Sequence, residues 1–514
     1  MTAQRSGAAP RNRLFGDIVA GVSVAFIVVP QGLAYAKLAG LPPYTGLYAA
    51  ALPPLAAAFF ASSRYLQTGP VAMTALLTFG ALSSIATPGS PEYVQLALLL
   101  AVVVGLFRVG LGLVRGGAIT HYMSHPVILG FTSGATLLIV ASQSAAAFGV
   151  EGAPDDLLER LWFVLTHPGD WNAAAIALSI VTAALVFGGR RLHPLVPGAL
   201  VAVVVGLIVG NMDSYTAALM GPIPEGLPDI SLALPWSRLP VLLVSGAIIA
   251  TVGFAEATAI SRTLAVRDRE RWDPNRELVS QGIANIAAGL SGGFPVGGSF
   301  SRSSVNKLAG ARSRWSGAVT GVAVLAFLPF AGLLESLPRA VLAAIVISAV
   351  IKLIRIPDMV ALTRVTWGQA TVAWGTFFAT LLLSPRIDIA VLLGVGLAAV
   401  VHLYRESSRF VVRTQFEAPV LLVIPVGVLF YGSAAALGDA LSEAMAEHPE
   451  ATEIRLSLER LGRIDHSGMM ALQDFAEFVR MAGLEIEVDR VPRHVAGIWD
   501  RTGGLHGVGL ARPD

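Results

Sequence analysis

The sequence predicts a multi-span α-helical membrane protein that ends in a small α/β domain, and three observations carry that prediction. The 514 residues are 54% hydrophobic and 14% charged, with mean hydropathy +0.68, whereas soluble domains carry about 25% charged residues. From about residue 14 to 404 the chain is a series of apolar segments separated by short polar links, the pattern of repeated bilayer crossings. From 415 to 514, strand-like and helix-like pieces alternate with ordinary charge content, as in a small α/β domain. Cysteine is absent, which excludes disulfides and thiolate metal sites.

The segment 1–13, "MTAQRSGAAPRNR", is basic and polar, and no small-residue cleavage site follows a short apolar core. The first apolar segment is therefore expected to remain as a span behind a cytoplasmic N-terminus. Fourteen crossings are expected, near 15–36, 44–61, 68–84, 92–113, 125–148, 173–188, 195–210, 240–262, 278–292, 300–310, 315–333, 339–354, 369–384 and 388–403. Segments 68–84 and 300–310 are too short or too polar to stand on hydropathy alone, so loop charges decide. With all fourteen, the inside receives Arg64, Arg115, Arg190, Arg191, the 262–276 arginine cluster, Arg312, Arg314, Lys352 and Arg355. The outside keeps Lys37, Arg160, Arg238, Arg339 and Arg386, beside the acidic loop at Asp155, Asp156 and Glu159. Dropping 68–84 would send Arg115, Arg190 and Arg191 outside, and dropping 300–310 would misplace Arg312, Arg314 and Arg355, against the positive-inside rule. In the C-terminal part, "APVLLVIPVGVLFY" reads as a strand pair or hairpin, "TEIRLSLERL" and "LEIEVDRV" as strands, and "GMMALQDFAEFVRMAG" as an amphipathic helix.

The two weak segments share a design. "YLQTGPVAMTALL" and "GGFPVGGSFSRSSVN" each place glycine, hydroxyl residues and proline ahead of a short small-residue helix. They are the third of seven crossings in two halves, about 14–210 and 240–404; seven is odd, so the halves run inverted, and matched interruptions of inverted repeats point to a transporter's binding site. The expected breaks are Thr68, Gly69 and Pro70 in one, and Gly297, Gly298 and Ser299 in the other. Pro70 suits a first helical position with Thr68 or Gly69 as cap; Ser299 or Ser301 can cap the second. Two helix N-termini facing one another near mid-membrane form an anion site without any cationic side chain. Close helix packing is the better explanation of any single glycine, but not of the matched pair. Arg302 lies inside a membrane segment, where a guanidinium is costly and usually functional; its plainer role is to bond carbonyls of the broken helix. Glu256 reads as an acid deep in an apolar span, able to carry a proton or help bind a cation, or simply hydrogen-bonded. Pro30 is expected to interrupt the first span, with Gln31 and Tyr35 following on one face, where they bond substrate or satisfy the kink.

These residues resemble a known family. "VPQGLAYAKLAGLPPYTGLYAAALPPL", "SRYLQTGPVA", "HPVILGFTSGATLLI", "GGFPVGGSFSRSSVN" and "LPRAVLAAIVISAV" together resemble the sulfate-permease-type anion transporters, the SulP or solute carrier 26 family. "GRIDHSGMMALQDFAEFVRMAG" is similar to the sulfate-transporter and anti-sigma-antagonist (STAS) domain that ends such proteins. The resemblance implies inverted seven-span repeats sorted into core and gate domains as in the uracil-permease type, a homodimer, and elevator-like movement of the core. It implies substrate binding by Gln31, Tyr35, Val71, Ala72, Phe300, Ser301 and Arg302, and ion coupling by Glu256. It departs from many relatives at His466, where a hydroxyl is common before Ser467, which weakens phosphorylation of Ser467 against a helix N-cap role there.

Other chemistry finds no support. His121 and His125 have helical spacing but no third ligand in sight, "GFTSG" is not a nucleophile elbow, and no P-loop, dinucleotide or HExxH fingerprint occurs. The expectation is therefore not an enzyme. It is a secondary active transporter of a small anion (sulfate, bicarbonate or a four-carbon dicarboxylate such as fumarate), by symport with H+ in preference to Na+. It is expected in the bacterial inner (plasma) membrane with its STAS domain cytoplasmic, without cofactor, metal or nucleic-acid partner. The alternatives are a nucleobase carrier of the same fold and an anion sensor that signals through its STAS domain without flux.

Overall fold

The computed structural model describes residues 10–117, 124–192, 198–224, 226–430 and 432–505. Residues 1–9 of the expected N-terminal segment, His121, 195–197 of the seventh crossing and the last residues of the C-terminal domain, 506–514, lie outside them. The chain divides into Met1–Val395 and Gly396–Asp514.

In the first unit the helices are α1 (Pro10–Leu38), α2 (Tyr44–Phe60), α3 (Ala72–Leu82), α4 (Pro91–Leu113), α5 (His125–Phe148), α6 (Leu157–Thr166), α7 (Ala173–Leu192) and α8 (Gly198–Gly210). After a long loop follow α9 (Leu239–Asp268), α10 (Pro274–Leu290), α11 (Phe300–Leu308), α12 (Trp315–Phe327), α13 (Arg339–Val350), α14 (Ile356–Val365) and α15 (Trp367–Leu382), and α16 (Ile387–Ser408) runs across the boundary into the second unit. Each expected crossing contains a helix. Seven described stretches are long and apolar enough to cross a membrane by themselves, and α2, α3, α8 and most of α7 form shorter apolar helices. Two short helices, α6 and α14, were not expected from hydropathy. Asp156 caps α6 by accepting from Leu158 and Glu159 N–H, both at 3.0 Å.

Two expectations about local backbone are corrected. Pro30 lies within α1 and does not interrupt it; the helix continues through the missing N–H because its neighbours hold it in place. α1 packs against α2 so closely that a Cβ on Gly46 would meet the Gly32 carbonyl oxygen at 1.9 Å. Pro70 is not the first residue of α3, and neither Thr68 nor Gly69 caps it: the cap position is Val71, extended, with no side-chain hydrogen bond. Thr68 instead accepts from Gln281 Nε2 at 2.6 Å.

The helices pack into two groups. One contains α1–α4 and α9–α12; the other contains α5–α8 and α13–α15. Each half of the sequence thus gives the helices of its first four expected crossings to one group and later ones to the other, a repeated pattern.

The second unit is an α/β domain. Strands β3 (Val411–Glu417) and β4 (Val420–Leu429) pair antiparallel, and β4, β5 (Glu453–Ser457) and β7 (Glu485–Asp489) run parallel, with β6 (Leu461–Ile464) also on β4. "APVLLVIPVGVLFY" is therefore one strand, and its hairpin partner is "VVRTQFE", which starts before residue 415. Helices α17 (Ala434–Glu447), α18 (His466–Met481) and α19 (Arg493–Arg501) complete it. Its own core includes Leu421, Val423, Ile454, Leu456, Leu472 and Val488. α18 is capped by Asp465, which accepts from Gly468 N–H at 2.7 Å, so the N-cap is not Ser467.

Candidate functional site

The polar interruptions ahead of α3 and α11 find each other. Gln67–Gly69 forms strand β1 and Gly297–Ser299 forms β2, paired antiparallel with Gln67 opposite Ser299, Thr68 opposite Gly298 and Gly69 opposite Gly297. All six residues are buried. Irregular backbone at membrane depth is tolerated where protein satisfies its polar groups, and here the two segments satisfy each other. α3 has 11 residues and α11 has 9, about 16 and 14 Å long against a hydrocarbon core of about 30 Å. Each is half a helix, and the strand pair places their N-termini side by side.

A polar ladder on α10 holds this assembly. Glu277, Gln281 and Asn285 recur every four residues on one face, all fully buried. Glu277 accepts from the N–H groups of Ser62 and Ser63 at 3.1 and 2.7 Å. Gln281 reaches Thr68, and Asn285 both accepts from Val296 N–H at 2.9 Å and donates to its carbonyl at 3.1 Å. From α11, Ser303 accepts from Gln67 N–H at 2.9 Å. Gly298 is needed for closeness: a Cβ there would lie 2.7 Å from Leu66 Cδ1 and 3.2 Å from Ala257 Cβ.

A cavity of about 520 Å³ lies at the two N-termini. Tyr35 of α1, Val71 and Ala72 at the start of α3, Glu256 of α9, and Ser299, Phe300 and Ser301 at the start of α11 line it from the first helix group. Thr136 of α5, and Val350 and Lys352 at the end of α13, line it from the second. The cavity therefore sits on the seam between the groups. Ser299 caps α11, accepting from Arg302 N–H at 3.5 Å, while no side chain caps α3. The first N–H groups of a helix lack internal partners and carry the positive end of its dipole.

Gln31 and Arg302 do not line the cavity; they stand behind it, 3% and 1% exposed. Arg302 Nη1 donates to the Pro70 carbonyl at 2.8 Å and to Gln31 Oε1 at 3.2 Å. The guanidinium of one broken segment thus bonds a carbonyl of the other. Its charge acts on Glu256 across the site. Thr68, Gly69, Pro70, Gly297 and Gly298 form the frame and leave the lining to their neighbours.

Three features went unread in the sequence. Arg108 on α4 is fully buried and donates to the carbonyls of Ile249, Ala250 and Val296, at 3.2, 3.1 and 2.9 Å. It pins α4 to α9 and to the lead-in of β2. The α10 ladder was legible as polar residues at i, i+4 and i+8 in an apolar helix. Lys352 was legible as one of three lysines in the chain. At the far end of α11, Lys307 pairs with Asp268. Burial first, and then the hydrogen bond to Asp268, push the neighbouring Tyr65 hydroxyl up to about 12, so it remains a donor.

Comparison with known proteins adds an independent line. The model of the Sulfate permease family matches residues 14–376. A protein of Arabidopsis thaliana described as "Probable sulfate transporter 4.2" is 31% identical, over 96% of this chain and 78% of its own length. The structure of the transmembrane domain of a cyanobacterium bicarbonate transporter, BicA, superposes with TM-score 0.64 at 25% identity, covering 76% of this chain and 98% of that one. The overall structure of SLC26A9 superposes with TM-score 0.87 over 98% of this chain and 88% of that one. At 18% identity this last likeness is one of fold.

Proposed function

The chain belongs to the sulfate permease family of anion transporters, and from that premise we propose that it moves a small oxyanion across the membrane by secondary active transport. The observation that carries this reading is the β1–β2 pair, which brings two half-helix N-termini to one cavity. An anion there would accept from backbone N–H groups at the starts of α3 and α11, with Arg302 adding positive potential from behind the wall and Lys352 from the opposite side. Sulfate, bicarbonate and a four-carbon dicarboxylate such as fumarate all need such a cradle. The plant relative is described as a sulfate transporter and the cyanobacterial one as a bicarbonate transporter, which supports this range.

For coupling we favour protons, carried by Glu256. It lines the same cavity, and among the described residues no second acid lines it with Glu256, as a high-charge cation site would call for. For movement we favour an elevator: the cavity lies on the seam, so sliding one helix group along the other would carry the anion with the half-helices. A homodimer in the plasma membrane, with N-terminus and STAS domain cytoplasmic, completes the proposal. Uptake of a panel of labelled anions into proteoliposomes at two pH values tests it. Uptake of an oxyanion that rises with an inward proton gradient is expected. Uptake driven by sodium with no response to pH, or competition by uracil and not by oxyanions, would overturn the coupling or the substrate class respectively.

A further inference from the structure

A second cavity, of about 440 Å³, lies at the other end of α13 from the central one. Arg339 and Ala340 line it, whereas Val350 faces the central cavity; roughly ten helical residues, about 15 Å, separate them. Its remaining walls are the last turn of α5 with the following loop, Arg160 of α6, and the loop around Tyr215. All of these belong to the second helix group or its connections.

The chemistry of this cavity is that of an anion site. Arg160 donates from Nε to the Pro154 carbonyl at 2.8 Å. Its other nitrogens make only long bonds to carbonyls, of 3.4 and 3.3 Å. Its nearest carboxylate, Asp155, is 3.9 Å away and projects into solvent. Arg339 donates to the Leu219 carbonyl at 2.9 Å and makes no ion pair among the described residues. Lys37, at the end of α1, adds like charge to Arg339. α13 starts at Arg339 with no side-chain cap; Arg339 N–H donates to the Ala218 carbonyl and Val341 N–H to the Pro338 carbonyl, which leaves the Ala340 N–H as the group at this helix start that can donate to a ligand. The Tyr215 hydroxyl is buried and has no hydrogen-bond partner among the described residues, a condition that costs free energy unless a ligand or water relieves it. Against these, the one acid on the wall among the described residues is Glu151, and it is exposed.

We propose that this cavity is a second binding site for a small oxyanion, held by Arg160, Arg339, the start of α13 and the Tyr215 hydroxyl. The arginine distribution puts it on the outer face, where it would raise the local concentration of anion at the entrance. Because its walls belong to the second helix group, it stays in place when the half-helices move. It does not depend on the central site.

Equilibrium binding of radiolabelled sulfate to the full chain in nanodiscs of phosphatidylcholine tests the proposal. The unaltered chain should bind sulfate at this site, and Arg160→Gln and Tyr215→Phe should each weaken that binding about tenfold, the equivalent of about 1.4 kcal/mol. In the Arg302→Ala background, where the central site is weakened, the sulfate binding that remains should still fall with Arg160→Gln and with Tyr215→Phe, which separates failure of this site from failure of the central one. Tyr215→Phe removes a single oxygen atom and keeps the test informative if Arg160→Gln does not fold. Sulfate binding that neither substitution weakens would overturn the proposal. So would sulfate binding that is abolished once anionic phospholipid is added to the nanodiscs, which would assign the cavity to a phospholipid headgroup.

Discussion

Arg302 illustrates what a single residue reveals and what it conceals. A guanidinium beside Gly298 and Ser299 stands out in the sequence because charge inside a membrane segment is costly. Its partners do not stand out, since the Pro70 carbonyl and Gln31 lie in other segments. Arg108 carries the same signal but sits near the end of its span, where an arginine ordinarily snorkels to the interface, so its burial was illegible. Replacing Arg302 with Ala removes a buried cation behind the cavity. Anion affinity should fall at least about tenfold, since a unit charge just behind a desolvated site attracts an anion by on the order of 1–4 kcal/mol. Arg302→Lys should recover part of the loss, as read by binding at fixed salt. Glu256→Gln keeps size and hydrogen bonding but cannot release a proton. It should leave anion binding intact and make uptake insensitive to the proton gradient; retained proton-driven uptake would remove Glu256 from the coupling step.

At the scale of elements, the sequence displayed both broken segments and their matched places, but not how they meet. Strands β1 and β2 have three residues each, rich in glycine, which disfavours strands. Only a partner more than two hundred residues away makes them a sheet. For the same reason the expected cap failed: Thr68 is taken by Gln281, so Val71 opens α3 with its N–H groups uncovered. Gly298→Leu should separate β2 from Leu66 and α9, abolishing anion binding while the protein still reaches the membrane. Unaltered affinity would show that the half-helices need no such closeness. Arg108→Met removes three hydrogen bonds from a charged donor, to the Ile249, Ala250 and Val296 carbonyls, at about 1.5–3 kcal/mol each. It should lower the thermal unfolding midpoint clearly more than Arg302→Ala does.

At the scale of the molecule, loop charges and repeat parity led to the expectation of fourteen crossings in inverted halves, and a helix lies in each expected crossing. The sorting of helices into two groups cannot be read from periodicity, because every span is apolar on most faces. The change in composition after residue 404 located the soluble domain, yet its first strand was missed because "VVRTQFE" is short and its alternation is broken by the helix end before it. With a separate core, residues 409–514 should fold alone, and deleting them should lower transport or expression without changing which anions compete. A changed order of competing anions would mean that this domain shapes the pocket.

The account rests on backbone N–H groups at the starts of two half-helices, and Ala72→Pro interrogates one of them directly. Val71 is extended, which proline tolerates before it, and proline is accepted at the first helical position, so the substitution deletes the N–H with little strain. Ala72→Val adds similar bulk and keeps the N–H. Binding of whichever of sulfate, bicarbonate and fumarate binds tightest should weaken about tenfold in Ala72→Pro and little in Ala72→Val. Equal affinity in both, matching the unaltered chain, would contradict an anion held by the opposed helix ends.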